Sequence, residues 1–268
     1  MNRRGIQRTP WPVSVLAALA IAFFTLPLIG LLWRAPWRDL LDILGRDQVR
    51  TALWLSIRTS LAAAAVATVL GVPLAWMLAR SRLPGRSAWR ALATMSMVLP
   101  PVVGGVSLLS SFGRRGLFGR HLEDWFGVQL TFTVWGVILA QAFVAMPFLV
   151  LAVEGAIHQV DSRLEGAARS LGGSPWYVFR RITIPAARSG VAAGVVLAWA
   201  RAFGEFGATI TFAGNYPGRT QTLSIATYLA LDVDPDVATA LSVLMIAVSF
   251  AVLVGLRDRW LGRTVAPT

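Results

Sequence analysis

The chain has 268 residues, 56% of them hydrophobic and only 14% charged, with a mean hydropathy of +0.62 and a formal charge of +12. A soluble domain of this length carries about 25% charged residues, and the long uncharged runs described below exclude a single large soluble helical domain. There is no cysteine and all 25 basic side chains are arginine, which excludes a disulfide framework, a thiol nucleophile, a cysteine metal site, a P-loop lysine and a Schiff-base lysine in this chain.

Taken in order, five runs lack any charge: Thr9–Trp33, Thr59–Ala79, Ala91–Gly113, Trp125–Val153 and Val237–Leu256. About 20 apolar residues at 1.5 Å rise cross a hydrocarbon core of roughly 30 Å, so each is a spanning-helix candidate. A sixth segment, Ala186–Ala213, is long enough but holds Arg201 and Glu205. It reads as a span with a polar interior face, giving six spans and an all-α polytopic membrane protein.

The first run exceeds a typical signal-peptide core and no A-x-A site follows it, so an uncleaved anchor is expected. Arg34–Arg58 reads as an outer loop with a short amphipathic helix over Trp37–Leu44. Trp33 and Trp37 suit interfacial anchors there. Pro73, Pro100, Pro101 and Pro147 fall inside spans, where proline removes a helix hydrogen bond and favours a kink. The densest break is Pro100-Pro101 followed by Gly104-Gly105. It fits a bending pore-lining segment or simple close helix packing.

The longest polar, basic interruption near the middle of the chain is Glu165–Pro185. A first helix is expected over Asp161–Leu171, closed by Gly172 and Gly173, which tolerate positive φ. Ser174 suits an N-cap and Pro175 the first helical position. A second helix over Trp176–Ile182 puts Trp176, Phe179 and Arg180 on one face. The segment is either a plain connection or a docking element.

Arg201 and Glu205 are spaced i, i+4 and can pair. An ionisable group at mid-membrane depth costs at least about 2.5–3.5 kcal/mol on insertion scales, so it needs a partner or a wet cavity. Gly204, Gly207 and Gly214 interleave with the pair. A structural bridge between helices and a site on a pathway both fit. His121 and His158 stand alone, and no HExxH or GxSxG spacing occurs. The chain is not expected to be an enzyme.

Loop charges set an expected orientation. With both termini inside, the inner segments hold fifteen arginines against four acids, and the outer segments nine arginines against eight acids. The basic charge is therefore topogenic and faces anionic lipid, not nucleic acid. It also puts Glu165–Pro185 on the cytoplasmic side.

Two resemblances sharpen these readings. Glu165-Gly166-Ala167-Ala168, then Gly172, then Ile184-Pro185, resembles the EAA loop of ABC importer permeases, with Gly166 where the family usually has alanine. Val98–Gly105, Gly113–Gly119, Asp124–Gly127 and above all Ala200–Asn215 with Pro217-Gly218-x-Thr220-x-Thr222 are similar to molybdate permeases of that superfamily. Sulfate permeases share the Arg201-x-x-Gly204-Glu205 core but are less similar elsewhere. The likeness covers roughly residues 50–256.

The resemblance implies a type I ABC importer permease fold. It would have an N-terminal tail, first span and loop over 1–50, a core over 51–257 and a cytoplasmic tail over 258–268. It implies a homodimer in the bacterial or archaeal inner membrane, two cytoplasmic ABC ATPase subunits and an extracytoplasmic molybdate-binding protein. ATP and Mg would be bound by the ATPase, and this chain would hold no cofactor or metal. Glu165, Ala167, Ala168, Leu171 and Gly172 would dock the ATPase. Pro100, Pro101, Gly104, Gly105, Arg201, Gly204, Glu205 and Gly207 would form the path and its gate. The expected cargo is molybdate, or tungstate. A sulfate or thiosulfate permease and an ion-coupled secondary transporter are the alternatives.

Overall fold

The computed structural model describes residues 10–81 and 84–261, without the side chains of residues 253 and 255–261. Arg3, Arg4, Arg8, Arg82 and Arg263, counted above in the inner segments, lie outside the described residues, as do residues 262–268 of the tail and the side chains of Arg257, Asp258 and Arg259.

The described residues fold as helices in the order α1 (Trp11–Arg34), α2 (Leu40–Gly45), α3 (Asp47–Arg80), α4 (Arg86–Val98), α5 (Pro101–Phe112), α6 (Gly119–Phe126), α7 (Val134–His158), α8 (Ser162–Ser170), α9 (Pro175–Val178), α10 (Ile184–Ala186), α11 (Arg188–Phe203), α12 (Gly207–Ala213), α13 (Leu223–Val233) and α14 (Pro235–Leu261). One π-type turn, Phe179–Thr183, joins α9 to α10. Four helices are long and apolar enough to cross a membrane: α1, α3, α7 and α14. Among the described residues the number rises to six if each of two bent pairs, α4 with α5 and α9–α10 with α11, counts as one span.

The centre is a packed trio of α3, α7 and α11. Small residues make it close: Ala63 and Ala75 of α3, Ala142 and Ala145 of α7, and Ala198 and Ala202 of α11 are all buried. Alanine lets helix backbones approach where lipid gives no hydrophobic drive. Val49, Trp199, Phe203, Leu223 and Leu241 tie α13 and α14 onto that trio. Leu108, Ala140, Val144, Ala208 and Phe212 fasten α5 and α12 to the other side of α7. In contrast, α1 has no buried residue and is apolar all round, as a lipid-facing span is.

Several expected boundaries move. α3 begins at Asp47, twelve residues before the uncharged run. At about 51 Å its 34 residues exceed the hydrocarbon core, so its charged first turns stand clear of it. The run expected as one kinked span over Ala91–Gly113 is two helices bent by 116°. The span expected from Trp125 starts at Val134, because α6 and a loop take up the first residues. The segment Ala186–Ala213 is interrupted after Phe203. Helix α13 fills a stretch expected as loop. It is too short to cross a membrane and is held by the Leu223 amide, which donates to Ser56 Oγ at 2.7 Å. Pro73 and Pro147 remain inside continuous helices.

Candidate docking loop and translocation path

The loop after α7 folds as its residues dictate. Asp161 caps α8, its carboxylate accepting from the Arg163 amide at 2.9 Å. Gly172 takes φ +85°, a left-handed conformation that suits glycine. Ser174 Oγ accepts from the Tyr177 amide at 3.2 Å, and Pro175 opens α9. The second helix is shorter than expected, because the π-type turn takes over at Phe179. The Trp176 and Phe179 rings lie 5.4 Å apart, and Phe179 meets Trp76 of α3 edge-on at 5.3 Å.

The residues expected to dock a partner divide by direction. Ala167, Leu171 and Gly172 are exposed and Ala168 is half-buried. Leu171 is 89% exposed. Ala168, Leu171 and Gly172 share a groove of about 680 Å³ with Leu164, Tyr177 and Ile182. Glu165 faces inward and is 3% exposed. Arg80 Nε lies 3.0 Å from one of its oxygens, and Thr183 Oγ1 donates to the other at 2.8 Å.

The two expected path segments come together. Leu99 and Pro100 each precede a proline, which disfavours helical backbone. Both are extended, with ψ of 133° and 135°, and the chain turns there. Helix α5 then crosses α12 closely. A Cβ on Gly105 would lie 2.5 Å from Thr211 Cβ and 3.0 Å from the Ala208 carbonyl oxygen. A Cβ on Gly207 would lie 2.6 Å from Pro101 Cβ. Gly104 looks the other way, toward the Phe143 ring. Pro100 and Pro101 are exposed at the bend.

Arg201 and Glu205 bridge a helix break instead of sharing one helix. α11 ends at Phe203, with Gly204 at its C-cap, and α12 starts at Gly207. Arg201 Nη2 lies 2.5 Å from Glu205 Oε2. Glu205 Oε1 also accepts from the Ala208 amide at 2.9 Å. The cation thus sits in the last turn of one helix and the anion at the start of the next, each matched to its helix dipole. Glu205 is 1% exposed while Arg201 is 28% exposed, so only the arginine reaches open space.

A second charged cluster went unread in the sequence. Glu154 of α7 is buried and receives the Arg90 guanidinium through Nε, at 3.1 Å, and Nη2. Arg86 at 3.8 Å and His158 at 3.6 Å complete it. The signal was the i, i+4 pair Arg86/Arg90 on α4 opposite a lone acid at the end of an apolar run. Gln141 is fully buried, and neither end of its amide has a partner among the described residues.

A helical body with spans broken at polar and glycine-lined positions, and a loop of small exposed residues at one end, has the architecture of a multi-pass inner-membrane transport permease. The chain belongs to the family of binding-protein-dependent transport system inner membrane components, whose model matches residues 71–263. The molybdenum transport system permease protein ModB of Mycobacterium tuberculosis is 43% identical over 243 residues, 91% of this chain and 92% of that protein. ModB of Escherichia coli is 41% identical over 212 residues, 79% of this chain and 93% of the relative. The sulfate transport system permease protein CysT of Escherichia coli is 30% identical over 242 residues, 90% of this chain and 86% of the relative. Among solved structures, a bacterial ABC transporter that imports the acidic polysaccharide alginate superposes with a TM-score of 0.71 at 18% identity, covering 95% of this chain and 96% of that one.

Proposed function

We propose that this chain is the membrane subunit of an ATP-driven importer of molybdate, with tungstate, a dianion of the same shape, as the second cargo. The observation that carries the reading is the 43% identity to a molybdenum permease across 91% of the chain, well above the 30% to the sulfate permease. The core, residues 51–257, would work as a homodimer with two ATPase subunits on the cytoplasmic side and a molybdate-binding protein on the other. ATP and Mg would be held by the ATPase, and this chain would do no chemistry.

The parts fit those roles. The arginine-rich end that carries α8 would face the cytoplasm. The groove beside Ala168, Leu171 and Gly172 would seat an apolar element of the ATPase. The bend at Pro100-Pro101 and the crossing of Gly105 and Gly207 would form the gate. Arg201 offers a guanidinium charge to a crossing dianion. Glu205 neutralises that charge between passages and helps the anion leave.

The test is uptake into proteoliposomes containing the chain, its ATPase and the binding protein. Molybdate should accumulate only with ATP inside, and sulfate should compete poorly. Accumulation that follows an ion gradient and ignores ATP would establish a secondary transporter instead. Preferred uptake of sulfate would reassign the cargo.

A further inference from the structure

We propose that Arg80, Glu165 and Thr183 form the joint through which movement of the exposed loop enters the membrane helices, and that Glu165 is a positioning residue there, not a surface contact for the ATPase. The inference rests on the importer reading above.

Helix α8 has no buried apolar residue. Its one buried side chain is Glu165. Whatever firm grip α8 has on the body therefore runs through that carboxylate. Arg80, the last residue of α3, approaches it with Nε at 3.0 Å. The Nη2 of the same guanidinium donates to the carbonyls of Ile157 and Val160, at 2.8 Å each. Ile157 lies in the last turn of α7 and Val160 just beyond it, where the negative end of the helix dipole favours a cation. Thr183 Oγ1 donates to Glu165 at 2.8 Å from the π-type turn that feeds α10 and α11. The carboxylate thus meets the end of α3 and the entry to α11 directly, and the end of α7 through Arg80; these are the three helices of the central trio. Arg169, on the next turn of α8, stands 3.9 Å away and adds charge without closing a hydrogen bond.

A fork held by two backbone carbonyls and a buried carboxylate is fixed in direction, which a single flexible ammonium would not be. Ala167 on α8, and Leu171 and Gly172 just after it, are exposed. The helix is therefore built to be pushed at its exposed residues and to pull on Arg80 and Thr183 through its buried one. A loop fastened only by apolar packing would slip under the same load. π-type turns mark functional positions in helices more often than chance, and this one carries the threonine of the joint.

The experiment uses the reconstituted complex of permease, ATPase and binding protein. Glu165→Gln removes the charge, and Thr183→Val removes the hydroxyl at nearly constant volume. Both variants should keep the ATPase through purification and keep hydrolysing ATP. Each should raise the ATP consumed per molybdate imported by about five-fold or more. Spin labels at Ser81→Cys and Ser170→Cys, clean in a chain without cysteine, should give one narrow distance with and without nucleotide in the parent and a broadened one with Glu165→Gln. Loss of the ATPase from Glu165→Gln would make this residue a direct contact and overturn the joint. Uptake and hydrolysis falling in step, at an unchanged ratio, would leave a merely structural bridge and also overturn it. A parent complex that never retains an ATPase overturns the importer reading itself.

Discussion

Gly104 and Gly105 are neighbours in sequence but not in circumstance. A Cβ at 104 meets only the Phe143 ring at 3.4 Å, whereas one at 105 would collide with Thr211 Cβ at 2.5 Å. Gly104→Ala should be nearly silent. Gly105→Ala should cost about 1–3 kcal/mol by overpacking the α5–α12 crossing, read as a lower melting temperature in detergent. The sequence marked both glycines as either gate or close contact. It did not say which of the two touches, because that depends on a helix a hundred residues away. The Arg201–Glu205 pair was legible as a pair, but not as a bridge over a break. Arg201→Ala strands a carboxylate that is 1% exposed, and an unpaired buried charge costs about 3–5 kcal/mol. Arg201→Ala/Glu205→Ala should regain much of that stability, since losing both partners is often near neutral. It should still fail to transport. Recovered uptake in the double variant would reduce the pair to a bridge.

At the scale of elements, local chemistry explains most of what was legible. Gly172, Ser174 and Pro175 act at the hinge, cap and helix-start positions their types suggest, while Asp161, expected as the first helical residue, is itself a cap. The 116° bend between α4 and α5 follows from two successive residues that each precede a proline. Replacing either proline alone leaves one restricted residue, so the bend should persist. Pro100→Ala/Pro101→Ala removes both restrictions. Labels at Ser96→Cys and Ser107→Cys should then move apart toward about 17 Å, the span of eleven residues in a straight helix, and uptake should be lost. What the sequence hid are features with distant causes. Helix α13 is seated by Ser56, 167 residues upstream. Glu165 is drawn inward by Arg80, 85 residues upstream. The start of α3 was missed because a membrane criterion sees charge-free runs and not the helix that continues past them.

For the whole molecule, the arginine bias makes a directional statement that labelling can read. A membrane-impermeant thiol reagent should reach Gln129→Cys from outside intact cells. It should reach Ser170→Cys only after the membrane is opened, and the reverse pattern would invert the topology. A second whole-molecule question is what lies against the bend. Val98, Val102 and Val106 are 85%, 55% and 50% exposed, an apolar row beside Pro100 and Pro101. Lipid covers such a row at no cost, and so does a second copy of the chain. The two differ in water. Lipid-facing cysteines stay protonated and unreactive, since the thiolate is the nucleophile and hydrocarbon suppresses it. Cysteines along a path between two copies are wetted when the path opens on their side and brought together when it closes. Val102→Cys and Val106→Cys should therefore react with a water-soluble thiol reagent in one nucleotide state and cross-link between copies in another. If neither variant reacts or cross-links with ATP, with ADP or without nucleotide, the row faces lipid, and the path must run on another side of α5.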